Sequence, residues 1–131
     1  MIEYNINKQI TVEEFKSLLE SSGITRPTKD IPRLQKMLDN ANLIITAWDG
    51  DTLVGIARSL TDFSYACYIS DLAVCKEYQS KGIGKELINQ TQKLLGDEVS
   101  LVLLSAPSAM KYYPKIGFSK AENSFLIKRK K

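Results

Sequence analysis

The hydrophobic positions of the chain follow two different periods, and the change between them falls at one loop. Residues 66–74 are rich in apolar and β-branched side chains, which predicts a strand. Beyond the loop, side chains suited to the core recur at helical spacing: Ile83, Leu87, Ile88, Thr91, Leu94 and Leu95. The loop itself, residues 76–84, contains two glycines and two lysines. Because the first N–H groups of a helix lack intrahelical partners, such a loop favours an anion.

The residues before this unit predict one strand, two helices and a hairpin. Residues 3–7 alternate apolar and polar side chains, as in a short strand. Thr11 and Glu14 match a capping box at the start of the first helix, and Asp30 precedes the second helix, with Pro32 in its first turn. Residues 43–48 and 52–59 flank an Asp-Gly turn and are predicted to pair as antiparallel strands.

The residues after the unit predict a parallel strand and an irregular end. Gly96 is expected to end the helix. Residues 100–104 form a continuous apolar run, which favours a strand covered on both faces and parallel to the strand at 66–74. Pro114 predicts a bent or short helix within residues 106–118. Residues 125–128 are predicted to form the final strand.

Composition limits the class of protein. A chain of 131 residues with 44% hydrophobic side chains fits one domain, residues 1–131, around one core. The net charge of +3 includes four basic residues at 128–131, so neither nucleic acid nor a membrane is an expected partner. The absence of a long apolar run favours a soluble, cytoplasmic protein. Cys67 and Cys75, without any histidine, are expected to be reduced thiols, and no metal site is expected.

Two spaced motifs carry a family resemblance. The segment Gln79-Ser-Lys-Gly-Ile-Gly84 resembles the Q/R-x-x-G-x-G/A signature of the GNAT superfamily of N-acetyltransferases. The spacing of Tyr113 to Gly117-Phe118 resembles the second signature of that family. The resemblance covers residues 43–118 and implies an α/β (α+β) fold. The implied fold is a mixed, mostly antiparallel sheet of six to seven strands, flanked by about four helices, with a central βαβ unit.

The resemblance implies that acetyl-CoA is the cosubstrate. Its pyrophosphate would lie on main-chain N–H groups of the loop, and its pantetheine arm would pair with the strand before it. The residues implied to bind the cofactor are Leu72, Ala73, Val74, Gln79, Ser80, Lys81, Gly82, Ile83, Gly84 and Lys85. A backbone N–H near Leu72 would polarise the thioester carbonyl.

Two residues are candidates for proton transfer. Tyr113 aligns with the family tyrosine that protonates the departing thiolate. Many relatives carry a glutamate base on the fourth strand, four residues before the position of Ala73, but no carboxylate occurs in this neighbourhood here. Asp71 is the only acid on the strand, and alternation places it with Ala73 and Ile69 unless a bulge changes the count. Asp71 as a base, Asp71 as a structural brace, and water as the base all stay open.

The predicted activity is acetyl transfer to a primary amine of a small molecule or peptide by direct attack in a ternary complex. Arg26, Trp48, Tyr65 and Tyr68 are candidates for contact with the acceptor, and the aromatic rings favour an arylalkylamine or another cationic amine. The missing glutamate favours an alternative, a non-catalytic regulatory domain that binds acyl-CoA. The protein is expected to be a monomer or a homodimer.

Overall fold

The computed structural model describes all 131 residues. Five strands form one sheet in the order β1-β2-β3-β4-β5: β1 is Ile2–Ile6, β2 is Leu43–Asp49, β3 is Thr52–Thr61, β4 is Ala66–Val74 and β5 is Ser100–Val102. The three α-helices are α1 (Val12–Ser22), α2 (Ile31–Asn40) and α3 (Ile83–Leu95). Neighbouring strands are antiparallel except β4 and β5, which are parallel and joined by α3. The mixed, mostly antiparallel sheet and the βαβ unit are therefore confirmed.

Local sequence signals set most of the helix and hairpin ends. The Glu14 N–H donates to Thr11 Oγ1 at 3.0 Å, and the Thr11 N–H donates to the Glu14 carboxylate at 2.9 Å. Asp30 accepts the Arg33 N–H at the start of α2, and α3 ends at Gly96. These predicted helix caps are confirmed. Each cap depends on residues only a few positions apart, so the sequence alone was enough to predict it.

The helices cover both faces of the sheet. Phe15, Leu18 and Leu34 of α1 and α2 pack with Ile56 and Ala73 of the sheet. The first residues of α3 pack on the opposite face. That second layer contains Leu43, Ile45, Ala47, Val54, Ala57, Ile83 and Leu87. The sheet therefore lies between an α1–α2 layer and an α3 layer, with apolar side chains on both sides.

A bulge at Ser70 reverses the faces of β4. Arg58 of β3 pairs with Asp71, but the next residue of β3, Ser59, pairs with Ile69, so Ser70 is the extra residue. Ile69 accordingly packs in the α3 layer. Ala73 packs in the α1–α2 layer. The expectation from simple alternation is thus wrong for Ile69, because one inserted residue moves the following side chains to the other face.

The same bulge marks the point where β4 and β5 part. The parallel pairs run from Ala66 with Ser100 to Tyr68 with Val102 and then stop. On its β5 side, the rest of β4 up to Val74 therefore has no neighbouring strand. This opening is the main departure from a regular sheet.

The sheet is smaller than expected, with five strands instead of six to seven and three α-helices instead of about four. Residues 125–128 form no strand, and the side chains of Phe125 and Ile127 are 98% and 99% exposed. The run at 100–104 is a strand over three residues only, with Val102 and Leu104 exposed. A strand needs a hydrogen-bonded neighbour, and β5 has none on its outer side.

The segment after β5 is irregular, as Pro114 predicts. It contains two short 3₁₀ turns, Pro107–Ala109 and Tyr113–Ile116, instead of an α-helix. No helix of the structure combines the length and the apolar character that crossing a membrane would need.

Candidate active site

The loop between β4 and α3 presents a row of unused main-chain donors. None of the N–H groups from Ser80 to Lys85 donates to a main-chain acceptor, and Gly82, at the start of α3, has no side-chain cap. Ser80 and Gly82 have φ values of 66° and 83°, in the left-handed region. Left-handed residues in such a loop can turn successive N–H groups toward a common point, and the positive end of α3 adds to their effect. The loop has the properties of a site for a phosphate group.

The side chain of Gln79 holds this loop in place. Its amide donates to the Val74 carbonyl at the end of β4 at 2.8 Å and to the Ser22 carbonyl of α1 at 3.3 Å. The Gln79 N–H donates to the Lys76 carbonyl. Gln79 was expected to bind the cofactor; its side-chain and main-chain N–H groups already have acceptors, and its side-chain oxygen has no partner.

The lysines of the loop differ in their surroundings. Lys76 lies against Gly23 at the carboxyl end of α1, where its charge suits the helix dipole. Lys81 lies over the Tyr78 ring at 5.2 Å from the centroid. Lys81 and Lys85 are exposed and form no ion pair. These two lysines are the cations available to an anion at the loop.

Tyr112 closes the side of the loop that faces the irregular segment. A Cβ atom built on Gly84 would overlap the Tyr112 hydroxyl and would approach Val74 to 3.9 Å. Burial raises the pKa of the Tyr112 phenol. No local signal in the sequence indicated that the Tyr112 hydroxyl reaches the first turn of α3.

Asp71 is the most constrained acid in the protein. Its side chain is fully buried, and each carboxylate oxygen accepts from a different guanidinium: Arg26 Nε at 2.6 Å and Arg58 Nε at 2.5 Å. These are the only two ion pairs of the chain. Each oxygen therefore accepts from an arginine, and the whole carboxylate is shielded from solvent.

The two arginines connect the bulge to the helices above it. Arg58 also donates to the Met37 carbonyl of α2 and to Ser70 Oγ. Arg26, from the α1–α2 loop, also donates to the Ser70 carbonyl and to the Thr25 carbonyl. The group of Asp71 and its two arginines therefore fixes the bulge, α2 and the α1–α2 loop together. Sequence reasoning missed Arg58, although a lone arginine within an apolar strand is a signal for a buried ionic partner.

Tyr113 lies in an aromatic cluster beyond the end of β5. Its ring meets Tyr112 and Phe118 edge to face, with centroids 5.3 and 5.5 Å apart. Burial raises its pKa above the ordinary value of 10.0, the neighbouring Tyr112 adds to the rise, and the charge of Arg26 opposes it. The phenol is therefore protonated at neutral pH and able to donate a proton.

The three aromatic candidates for contact with the acceptor differ in their exposure and surroundings. Trp48 is 4% exposed, donates to Thr46 Oγ1, and has the Lys8 ammonium 3.9 Å above its ring. Tyr65 is largely exposed at the β3–β4 turn. Tyr68 is the nearest in sequence to the bulge and borders an open depression of about 490 Å³ at the end of α2.

Comparison with known proteins identifies this architecture. A family model described as an acetyltransferase (GNAT) domain matches residues 10–128. An uncharacterized N-acetyltransferase of Pyropia yezoensis is 33% identical over 121 residues, which cover 87% of this chain and 68% of that protein. The chain spans 61 to 68% of the length of three such curated relatives.

Solved structures show the same fold. A Staphylococcus aureus protein of unknown function, described as a probable acetyltransferase, is 27% identical with a TM-score of 0.82. The match covers 98% of this chain and 100% of that one. An aminoglycoside N-acetyltransferase in complex with CoA has the same fold at 14% identity, with a TM-score of 0.74 over 99% of this chain and 95% of that one.

These matches define the class as the acetyltransferases. The chain belongs to the GNAT family of N-acetyltransferases, as its two motifs predict.

Replacing Gly84 with alanine is expected to destabilise the protein, although alanine normally stabilises a helix interior. The added methyl group would overlap the Tyr112 hydroxyl, and such overpacking costs about 1 to 3 kcal/mol of the free energy of unfolding. Urea denaturation would measure it. The double variant Gly84→Ala, Tyr112→Phe should recover most of the loss, since the ring carbon would then lie 3.5 Å from the methyl group. If Tyr112→Phe alone leaves the free energy of unfolding unchanged and the double variant is no more stable than Gly84→Ala, this role of Tyr112 is refuted.

Replacing Asp71 with asparagine should lower the free energy of unfolding by about 3 kcal/mol, because two arginines lose their only anion in a buried site. Urea denaturation would measure the change. Asp39→Asn is a matched control, since Asp39 is exposed on α2 and accepts only from Gln35. Unchanged stability would contradict the bracing role, and the loss of one limb of the pH–rate profile would support Asp71 as the base.

Proposed function

We propose that this protein transfers an acetyl group from acetyl-CoA to a primary amine of a small molecule or peptide, by direct attack in a ternary complex. The observation that carries the proposal is the run of unused N–H donors from Ser80 to Lys85 beside the opening between β4 and β5. The N–H donors suit a diphosphate, and the opening between the strands suits an extended chain with amide groups. Acetyl-CoA contains both, as its pyrophosphate and its pantetheine arm.

The residues present fit this cosubstrate. The donors from Ser80 to Lys85 would hold the pyrophosphate, with Lys81 and Lys85 adding charge. The open edge of β4 at Leu72, Ala73 and Val74 would pair with the amide groups of the pantetheine arm. Gln79 would fasten the loop to the end of β4 without contacting the cosubstrate.

Catalysis in this proposal requires little side-chain chemistry. A main-chain N–H near Leu72 would stabilise the oxyanion that forms when the amine attacks the thioester carbonyl. Tyr113 would give its proton to the leaving thiolate, since its raised pKa keeps the phenol protonated. Acetyl-CoA supplies the activated acyl carbon, and the chain supplies position, polarisation and this proton.

Asp71 would position the site and would not accept the amine proton. Both of its oxygens are held by arginine in a buried place, so a proton arriving there would break an ion pair. Water in the opening would take the proton instead. Water as the base agrees with the absence of the family glutamate, and the reaction can proceed without that residue.

Two measurements test the proposal. Calorimetric titration with acetyl-CoA should give binding that raises the melting temperature. Release of CoA thiol should then depend on an added amine from a panel of amino acids, polyamines, arylalkylamines, aminoglycosides and lysine peptides. Binding without turnover on any amine would favour the alternative, a regulatory domain that binds acyl-CoA. No binding would contradict both.

Tyr113→Phe should lower kcat by about 10²-fold, with little change in the affinity for acetyl-CoA. The pKa of Tyr113 is raised above 10.0, so deprotonation of its phenol should not lower the kcat of the parent enzyme below pH 10. Above that pH the kcat should fall. The variant should lack that fall. Tyr4→Phe is the control, because burial also raises the pKa of Tyr4 but it lies on β1, at the far edge of the sheet. An unchanged kcat would remove Tyr113 from the mechanism.

A further inference from the structure

The group formed by Asp71, Arg26 and Arg58 carries one more positive charge than negative. Two guanidiniums share a single carboxylate, and no other acid forms an ion pair with either of them. Buried charges are ordinarily balanced, because an unpaired charge in a place of low dielectric is costly. The group therefore keeps a net charge of +1.

The surplus charge is accessible at Arg26. The side chain of Arg58 is only 5% exposed, whereas that of Arg26 is 25% exposed. Arg26 uses one N–H of each of its three nitrogens, toward Asp71, Thr25 and Ser70. A guanidinium has five N–H donors, so two remain, one on each terminal nitrogen. A carboxylate is an anion that a guanidinium binds well through such donors.

Arg26 lies at the place where the reaction would occur. It donates to the carbonyl of Ser70, the bulge residue, which lies two positions beyond the last residue of β4 that pairs with β5. Its charge opposes the rise that burial causes in the pKa of Tyr113. Arg26 is therefore bonded to the bulge of β4, next to the proposed opening for the cosubstrate.

We infer that the acceptor is a primary amine that carries its own carboxylate, of the α-amino acid class, and that Arg26 binds this carboxylate. The inference rests on the proposed function. A bound carboxylate would complete the group as two cations and two anions. A polycationic amine would meet like charge at Arg26 and would find the Trp48 ring covered by Lys8.

The test compares acceptors that differ only in this charge. CoA release would be measured with the twenty L-amino acids, and then with the best of them, its carboxamide and its decarboxylated amine. The amine of an amino acid amide is less basic than that of the acid, so without a carboxylate site the amide should react faster. We expect instead that kcat/KM for the acid exceeds that for the amide by at least tenfold.

Variants locate the preference at Arg26. Arg26→Gln should raise the KM for the amino acid at least tenfold, reduce the acid-to-amide ratio to near one, and leave the KM for acetyl-CoA unchanged. Arg26→Lys should restore part of the ratio because it restores the charge. Lys29→Gln is the matched control, since it removes the same charge from an exposed residue of the same loop. Arg26→Gln leaves a balanced pair of Arg58 and Asp71, so the variant should fold, as circular dichroism would check.

The outcomes separate this inference from the proposed function. Faster acetylation of the amide, of an aminoglycoside or of a polyamine would overturn the inference and support acetyl transfer. An acid-to-amide ratio that is the same in Arg26→Gln as in the parent would also overturn it. Failure to bind acetyl-CoA would overturn the proposed function itself.

Discussion

The rest of the site depends on the ion pairs that the Asp71 carboxylate forms with Arg26 and Arg58. A buried acid must be paired, and the two partners of Asp71 come from β3 and from the loop between α1 and α2. Both arginines also bond Ser70, so the ionic group and the bulge hold each other in place. The opening between β4 and β5 begins at that bulge. Three apolar residues could replace the packing of this group but not its hydrogen bonds to the bulge.

The two ends of the β4 segment beyond the bulge have different roles in the proposed site. At one end the bulge turns Asp71 and Ala73 toward α1 and α2, where an acceptor would approach. At the other end Gln79 fastens the anion loop to the Val74 carbonyl and to α1. Since α1 touches both ends through its neighbouring loop and its last turn, the strand and α1 form one frame. In the proposed function, the backbone of this frame, more than any side chain, would form the surface that binds the cosubstrate.

The sequence allowed prediction of those features that depend on nearby residues. The capping box at Thr11, the Asp-Gly hairpin and the boundary between β4 and α3 all follow from short-range patterns, and the structure confirms them. The bulge could not be predicted, because it depends on pairing with Arg58 and on Arg26, forty-five residues from Asp71. The expected strand at residues 125–128 failed for a related reason: its apolar pattern is correct for a strand, but a strand also needs a partner edge.

The charge of the site also bears on how an acetyltransferase can act without the family glutamate. An amine attacks only after it loses its proton, and a nearby positive charge lowers the pKa of an ammonium group. In a free amino acid the neighbouring carboxylate has the opposite effect. If Arg26 holds that carboxylate, its charge cancels the effect, and more of the amine is neutral at a given pH. The same contact that selects the acceptor would then assist its deprotonation, so that water is a sufficient base. In this view Arg26 replaces part of the function of the missing glutamate. It lowers the pKa of the acceptor amine and does not itself accept the proton.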